Sequence, residues 1–332
     1  MHHPIRSISR RTAIVGALGL AVAVTAAPAQ AAPTPSASAA AISLKGVNLR
    51  VGGQTDGLRS LLVASGALKG KAYKLTWSTF TSGPPILEAL QANRIDIGGV
   101  GNTPPIFAAA TRPNFRLVAG IPQSGANSGD FVLVKKGSPA TKIADLKGKK
   151  IAYTRGSSGH GFILQALKKA GLTTKDVTLV DLTPGDSLAA FNSGAVDGWA
   201  TWEPFASIAG EAGRVLPAGS GYAAAGLNFF AASNSALADV KKRTAIRDYL
   251  VRLQRAIAWG TKNKLKWAQA FNAESGLPVD LALKSIKSAN RSVTPVTSKL
   301  IAQEQRLANV LAETGIVKKI SIKSITSNQL AK

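Results

Sequence analysis

The chain of 332 residues contains no cysteine and a single methionine. Without thiols there is no disulfide, no thiolate metal site, no cysteine nucleophile and no lipid carried on a cysteine. Histidine is almost as scarce. His2 and His3 stand at the extreme N-terminus, which leaves His160. A cluster of histidine ligands is thereby excluded, and a catalytic triad would have to run through one imidazole. Acidic residues number 17 against 41 basic ones, a formal charge of +24. The basic residues are spread along the chain, densest over 241–266, without interleaved aromatics or a recognisable binding motif. Such a charge reads as a solvated surface suited to an anionic envelope or to anionic solutes, and not as a nucleic-acid interface. No cofactor is expected.

Long apolar runs are lacking, with one exception over 13–27. It follows Arg6, Arg10 and Arg11 and precedes Ala29-Gln30-Ala31. A basic start, a short apolar stretch and a small-x-small site predict a cleaved signal peptide over 1–31 and export of the remainder. The run is too short and too rich in alanine and glycine for a membrane span. Arg10-Arg11 is a weak twin-arginine signal, since Thr12 and Ala13 lack the bulky apolar residue usual there. Losing the three arginines takes the formal charge from +24 to +21. Residues 32–41 are Ala, Pro, Ser and Thr with nothing to bury, a disordered linker by composition.

From there strand and helix signals alternate. Apolar runs predict strands over 47–51, 73–80, 95–98 and 115–121, with helices over 58–68, 84–93 and 104–110. A second series predicts strands over 131–135, 150–154, 177–182 and 196–201, with helices over 159–170 and 186–193. This βα alternation implies mostly parallel sheets covered by helices. The series echo each other: Leu87, Ala89, Leu90, Ile95 and Asp96 recur 101 positions later as Leu188, Ala190, Phe191, Val196 and Asp197. Two α/β lobes of similar architecture are the expectation. From 237 to 311 apolar residues fall at helical spacing, which predicts an all-helical tail with helices over 264–273, 279–289 and 298–312.

Four loops rich in glycine and small polar residues lead into predicted helices, at 52–57, 81–85, 98–105 and 155–161. A helix start exposes backbone N–H groups and the positive end of the dipole, so several aimed at one cleft would hold a compact anion. Pro84 and Pro104 mark first turns. Taken singly, each serine or asparagine here equally well caps its own helix. Enzyme motifs do not fit: Gly156-Ser157-Ser158-Gly159-His160 lacks the last glycine of a nucleophile elbow, and the glycine loops have neither dinucleotide spacing nor a phosphate-loop lysine. Trp199, Trp202 and Phe205 flank Glu203-Pro204 at a strand end, either as core or as cover for an alkyl chain.

Three stretches carry a family resemblance. They are Gly83-Pro84-Pro85-Ile86-Leu87-Glu88-Ala89-Leu90 with Ile95-Asp96-Ile97-Gly98 and Gly101-Asn102-Thr103-Pro104-Pro105; Asp145-Leu146-Lys147-Gly148-Lys149 leading to Gly156-Ser157-Ser158-Gly159-His160; and Leu182-Thr183-Pro184 with Trp202-Glu203-Pro204-Phe205. The chain resembles the periplasmic aliphatic sulfonate-binding proteins, in the group that also holds taurine and nitrate binders. The resemblance implies a type II periplasmic binding protein fold: two α/β lobes with a ligand cleft between them and a helical C-terminal tail. Lobe I would comprise 42–128 and 226–332 and lobe II 129–225, with crossings near Ser128 and Ala225. It implies an extracytoplasmic, monomeric component of an ABC importer that binds alkanesulfonates by hinge closure and serves a permease with a separate ATPase. The alternatives within the group are taurine, nitrate or a thiamine precursor, or an enzyme on the same fold. Carried over by position, the ligand-binding residues are Gln54, Ser82, Gly83, Gly101, Asn102, Thr103, Ser157, Ser158, His160, Trp202 and Glu203. Asn102 stands where the family leads one to expect an acid, and Glu203 replaces an Asp. The lost carboxylate points toward simple alkanesulfonates rather than amine-bearing taurine.

Overall fold

The computed structural model describes residues 42–330 apart from 112, 125–128, 219 and 288–289. The expected leader over 1–31, the linker over 32–41 and the crossing at Ser128 lie outside the described residues. In the first series β1 (Asn48–Gly53), α1 (Leu58–Ala64), β2 (Lys74–Thr79), α2 (Gly83–Gln91), β3 (Ile97–Gly101), α3 (Thr103–Ala109) and β4 (Phe115–Ser124) follow one another. The second comprises β5 (Asp130–Lys135), β6 (Lys150–Tyr153), α4 (Ser158–Lys169), β7 (Thr178–Asp181), α5 (Pro184–Ser193), β8 (Gly198–Trp202), α6 (Phe205–Ile208) and β9 (Gly213–Val215). Then come β10 (Leu227–Ser233), α7 (Asn234–Ala238), α8 (Val240–Lys262), α9 (Lys264–Ser275), α10 (Val279–Lys287), β11 (Asn290–Arg291) and α11 (Ser298–Glu313).

The strands form two sheets, ordered β11-β4-β10-β3-β1-β2 and β7-β6-β8-β5-β9. Each lies in its own α/β lobe. Alternation along the strands fills two layers per sheet. In lobe I Phe230 and Ala232 of β10 join Leu49, Tyr249, Leu253 and Phe271 under α8 and α9. Their neighbours Phe229 and Ala231 face the other way, toward Ile86, Leu90, Leu300 and Leu307 under α2 and α11. In lobe II Val132 and Val134 of β5 pack with Ile151 and Ile163, whereas Phe131 and Leu133 pack with Phe191 and Trp199.

Three features depart from the sequence expectation. The sheets are mixed: β1 runs parallel to β2 and β3, and β6 to β7 and β8, but β10 is antiparallel to β3 and β4, and β5 to β8 and β9. β5 and β10 are the strands by which the chain enters a new sheet, so no covering helix delivers them and nothing forces the parallel direction. β10 was not among the strands read from the apolar runs, although it is itself a short apolar run buried on both faces and follows the crossing expected near Ala225. The tail is not all-helical either. β11 interrupts it and pairs Asn290 with Ser124 and Arg291 with Gln123, covering the edge of β4.

The internal echo has a physical basis. The Asp96 carboxylate accepts the Arg50 N–H at 2.9 Å while its own N–H donates to the Arg50 carbonyl. Asp197 accepts the Lys150 N–H at 2.8 Å, and its N–H donates to the Lys150 carbonyl. Each aspartate therefore ties the strand it precedes, β3 or β8, to β1 or β6. Asp96 is fully buried and also ion-pairs with Arg50 at 2.7 Å and Lys242 at 2.9 Å. Burial alone would raise its pKa, but these hydrogen bonds outweigh it and hold the carboxyl below the ordinary range.

Glu304 of α11 is the opposite case. It is fully buried, and neither carboxyl oxygen has a hydrogen-bond partner among the described residues. Burial pushes its pKa well above the ordinary value. A raised folded-state pKa favours folding below the unfolded-state pKa, and that contribution is lost as pH rises toward the folded value. Glu304→Gln is expected to melt higher than the parent at pH 8, with the gap closing near pH 4, by about 1.4 kcal/mol for each unit of raised pKa. Parallel melting curves across pH test it; a gap that does not narrow on acidification disproves the assignment.

Candidate functional site

The C-terminal ends of the central strands of both sheets face one cleft of about 320 Å³. Lobe I contributes the β1–α1 loop with Gln54 and Asp56, the start of α2 at Gly83, Gly101 at the end of β3, and Arg291 of β11. Lobe II contributes Asp130 of β5, Ser157 and Ser158 at the start of α4, Pro184 and Gly185 at the start of α5, and Trp202 with Glu203 after β8. Loops and helix starts gather there because a βα unit places them beyond the strand ends. Glycine lets the lobes meet closely beside the cleft: a Cβ on Gly161 of α4 would lie 2.0 Å from Thr103 Oγ1 of α3.

Of the residues carried over by resemblance, Gln54, Gly83, Gly101, Ser157, Ser158, Trp202 and Glu203 line the cleft. Ser82, Asn102, Thr103 and His160 are buried beside it and do not. Ser82 is the N-cap of α2, but its side chain makes no capping bond. Asn102 Nδ2 donates to the Ala224 carbonyl at 3.0 Å and its Oδ1 accepts from Thr103 Oγ1 at 2.9 Å, so both ends of the amide serve the junction between α3 and the segment entering β10. Ser157 Oγ caps α4 by accepting the His160 N–H and donates to the Thr154 carbonyl at 2.7 Å. That leaves Ser158 as the hydroxyl of this loop that faces Asp130.

His160 Nδ1 accepts the Gly156 N–H at 3.1 Å, and its ring packs 4.4 Å from Tyr153 and 5.3 Å from Phe107, centroid to centroid. Burial, with Arg155 adding to it, pushes its pKa down to about 4. The neutral imidazole holds the loop ahead of α4. A depressed histidine pKa contributes stability above the unfolded-state value near 6.5, and this is lost as pH falls through the folded value. The parent is expected to lose about 3 kcal/mol on acidification from pH 6.5 to 4 through this group, and His160→Gln, which keeps an acceptor, to lose less. Denaturant melts across that window decide it, and identical profiles refute it.

Residue patterns named Glu203 and the loop that holds Asp56 but gave no notice of Arg291 or Asp130. The Arg291 guanidinium makes neither a hydrogen bond nor an ion pair among the described residues, although it lies near enough to lower the pKa of Asp56 and Glu203. Burial raises both of those carboxyls, yet both have partners: Asp56 Oδ1 accepts the Leu58 N–H at 3.1 Å, and Glu203 Oε2 accepts the Ser207 N–H at 3.2 Å. Asp130 has the Ser158 hydroxyl and, among the described residues, no cation; burial pushes it up to about 7. Trp202 stands edge-on to Phe205 at 5.7 Å and presents a half-buried indole to the cavity. The arrangement offers one uncommitted guanidinium, several helix starts and an aromatic wall, which suits a small organic anion.

Comparison with known proteins agrees. The chain is 35% identical over 283 residues, 83% of its own length and 87% of the relative's, to a protein of Escherichia coli (strain K12) described as an aliphatic sulfonates-binding protein. It belongs to the aliphatic sulfonate-binding family. A family model described as NMT1/THI5 like matches residues 90–262. Among solved structures, this member of the family is similar to the alkanesulfonate-binding protein SsuA from Xanthomonas axonopodis pv. citri bound to MOPS, with TM-score 0.77, 30% identity, and 85% and 99% of the two chains covered. It is also similar to the periplasmic aliphatic sulphonate binding protein SsuA from Escherichia coli, with TM-score 0.72, 31% identity, and 84% and 92% covered. The likeness covers most of both chains in each case.

Proposed function

We propose that this protein is the exported solute-binding component of an ABC importer for alkanesulfonates, acting as a monomer and delivering ligand to a permease powered by a separate ATPase. The leader over 1–31 and linker over 32–41 would precede lobes divided near Ser128 and Ala225. The observation that carries the reading is Arg291: a guanidinium with no bonded partner among the described residues, set in a cleft fringed by helix starts, in a chain whose relatives are described as sulfonate binders. In this reading Arg291 forms charge-assisted bonds to the sulfonate. The exposed N–H groups at Gly83 and Ser158 and the Gln54 amide complete its shell, and Trp202 covers the alkyl part. Ser82, Asn102, Thr103 and His160 act behind this shell by fixing helix starts. The protein does no chemistry on its ligand. His160, the histidine available outside the N-terminal segment, is buried, neutral and bonded to Gly156.

A panel of alkanesulfonates, taurine, nitrate, bicarbonate and thiamine precursors tests the class, since a ligand bound by the folded state alone raises the melting temperature. Alkanesulfonates are expected to give the largest shifts and to reduce the radius of gyration in solution scattering as the lobes close. Arg291→Gln should weaken alkanesulfonate binding roughly 10- to 100-fold, the loss of a hydrogen bond to a charged group, with little change in melting without ligand. Undiminished affinity in the variant, or no shift with any sulfonate, overturns the reading.

A further inference from the structure

Nine of the 41 basic residues fall within 241–266, on α8 and the start of α9, against one acid, Asp248. The fold sorts them. The inner face of α8 buries Ile246, Tyr249, Leu250, Leu253 and Ile257 in the core of lobe I, which turns the remaining positions outward. Four of the cations are spent on the protein itself: Lys242 on Asp96, Arg252 on Asp248, Arg243 on the Leu237 carbonyl and Arg247 on the Gln329 carbonyl. The side chains of the other five, Lys241, Arg255, Lys262, Lys264 and Lys266, have no hydrogen bond or ion pair among the described residues.

Exposed apolar side chains collect on the same ground. Of the large hydrophobic residues that stand exposed among the described residues, Val63, Val240, Val251 and Leu265 belong to α1, α8 and α9, and only Ile42 and Val215 lie elsewhere. These three helices pack together: Trp267 Nε1 of α9 donates to the Gly57 carbonyl ahead of α1 at 2.8 Å, and a Cβ on Gly260 of α8 would lie 2.7 Å from Leu61 Cδ1 of α1. Along α8 the exposed Val251, Arg255, Ala258 and Lys262 follow at spacings of three and four, which makes one stripe of the helix surface. Leu265 and Lys266 extend it where α9 begins after the single residue Asn263. Free cations and apolar side chains therefore share the outer wall of lobe I. Among the described residues nothing from α8 or α9 lines the cleft.

We propose that this face is a docking surface for an anionic phospholipid bilayer. A chain without cysteine holds no lipid on a thiol, and the stripe supplies another hold on the membrane. Each lysine or arginine kept near an anionic bilayer favours binding about fivefold. Charge alone would serve any polyanion, and the apolar side chains decide between them. A headgroup layer over acyl chains receives both kinds, the cations at its phosphates and Val63, Val251 and Leu265 at the boundary beneath. A polymer dissolved in water has nothing to offer a valine or a leucine. Because the cleft takes no residue from this face, docking does not consume the ligand site, and the assignment is independent of which ligand the cleft holds.

The chain from residue 32, which contains every described element, is floated with vesicles of phosphatidylglycerol and phosphatidylcholine in equal parts. It is expected to partition onto them, to ignore phosphatidylcholine alone, and to come off as salt is raised to about 1 M, where the Debye length is about 3 Å. The triple variant Arg255→Gln, Lys262→Gln, Lys266→Gln should bind about 100-fold more weakly. A control triple in lobe II, Lys136→Gln, Lys142→Gln, Lys175→Gln, removes the same net charge from other exposed positions and should bind as the parent does. Equal loss in the two triples overturns the proposal, since net charge would then account for the attraction. Val251→Ser with Leu265→Ser should weaken vesicle binding severalfold and leave binding to inorganic polyphosphate unchanged. Vesicle binding that is indifferent to this pair would assign the face to a soluble polyanion and overturns the bilayer. All the substituted side chains on α8 and α9 are exposed, so unchanged melting is expected throughout, and a parent chain that does not float with the anionic vesicles refutes the proposal outright.

Discussion

The architecture depends on one repeated interaction, a carboxylate that accepts the backbone N–H of a neighbouring parallel strand. Asp96 does this for Arg50 and Asp197 for Lys150. Because each aspartate also returns its own N–H to the same residue, the two strands are locked in register at their N-terminal ends. Everything beyond their C-terminal ends then has a fixed origin, including the β1–α1 loop, the start of α4 and the Trp202-Glu203 turn. In the first lock the carboxylate is buried and braced by Arg50 and Lys242, and in the second it is exposed, with Lys149 at 3.8 Å. Removing one partner of the buried set would strand a charge in the core, an effect of several kcal/mol. The same loss at Asp197 would cost a surface hydrogen bond.

Charge is divided between outside and inside. The chain is strongly basic overall, yet the cleft gathers Asp56, Asp130 and Glu203 against Arg291. Net charge acts over the long range and favours the approach of anions. The lining acts at contact, where desolvation makes each unmatched group count. A ligand chosen by the outer field alone would be any small anion; the lining discriminates among them.

Much of this was legible in the residues. Apolar runs placed the strands of both series within a few positions, β9 excepted, and Pro84 and Pro104 marked the starts of α2 and α3. The spacing that relates Asp96 to Asp197 proved to be one structural device used twice. What escaped was set by tertiary context. Residues 227–233 are buried on both faces because β10 is central, so they show no alternation, and only the short apolar run itself could mark the strand, as it does for β5. Arg291 sits in a stretch that looks like a turn between helices, and its place in the cleft follows from β11 pairing with β4, a contact across the whole of lobe II. Ser82, Asn102, Thr103 and His160 were legible as helix-start residues but not as buried ones, since the rings of Tyr153 and Phe107 and the carbonyl of Ala224 lie far from them in sequence or on another element.

The contact of α3 with α4 carries a geometric consequence. Helix α4 belongs to lobe II, yet Leu164 lies in the core of lobe I, and Lys168 is ion-paired with Glu313 of α11. At Gly161 no side chain separates the two lobes. A single methyl group there would meet Thr103 Oγ1 at 2.0 Å, well inside van der Waals contact, so α3 and α4 would have to move apart to admit it. The missing carbon at Gly161 is thus a condition for α3 and α4 to lie against each other as closely as they do.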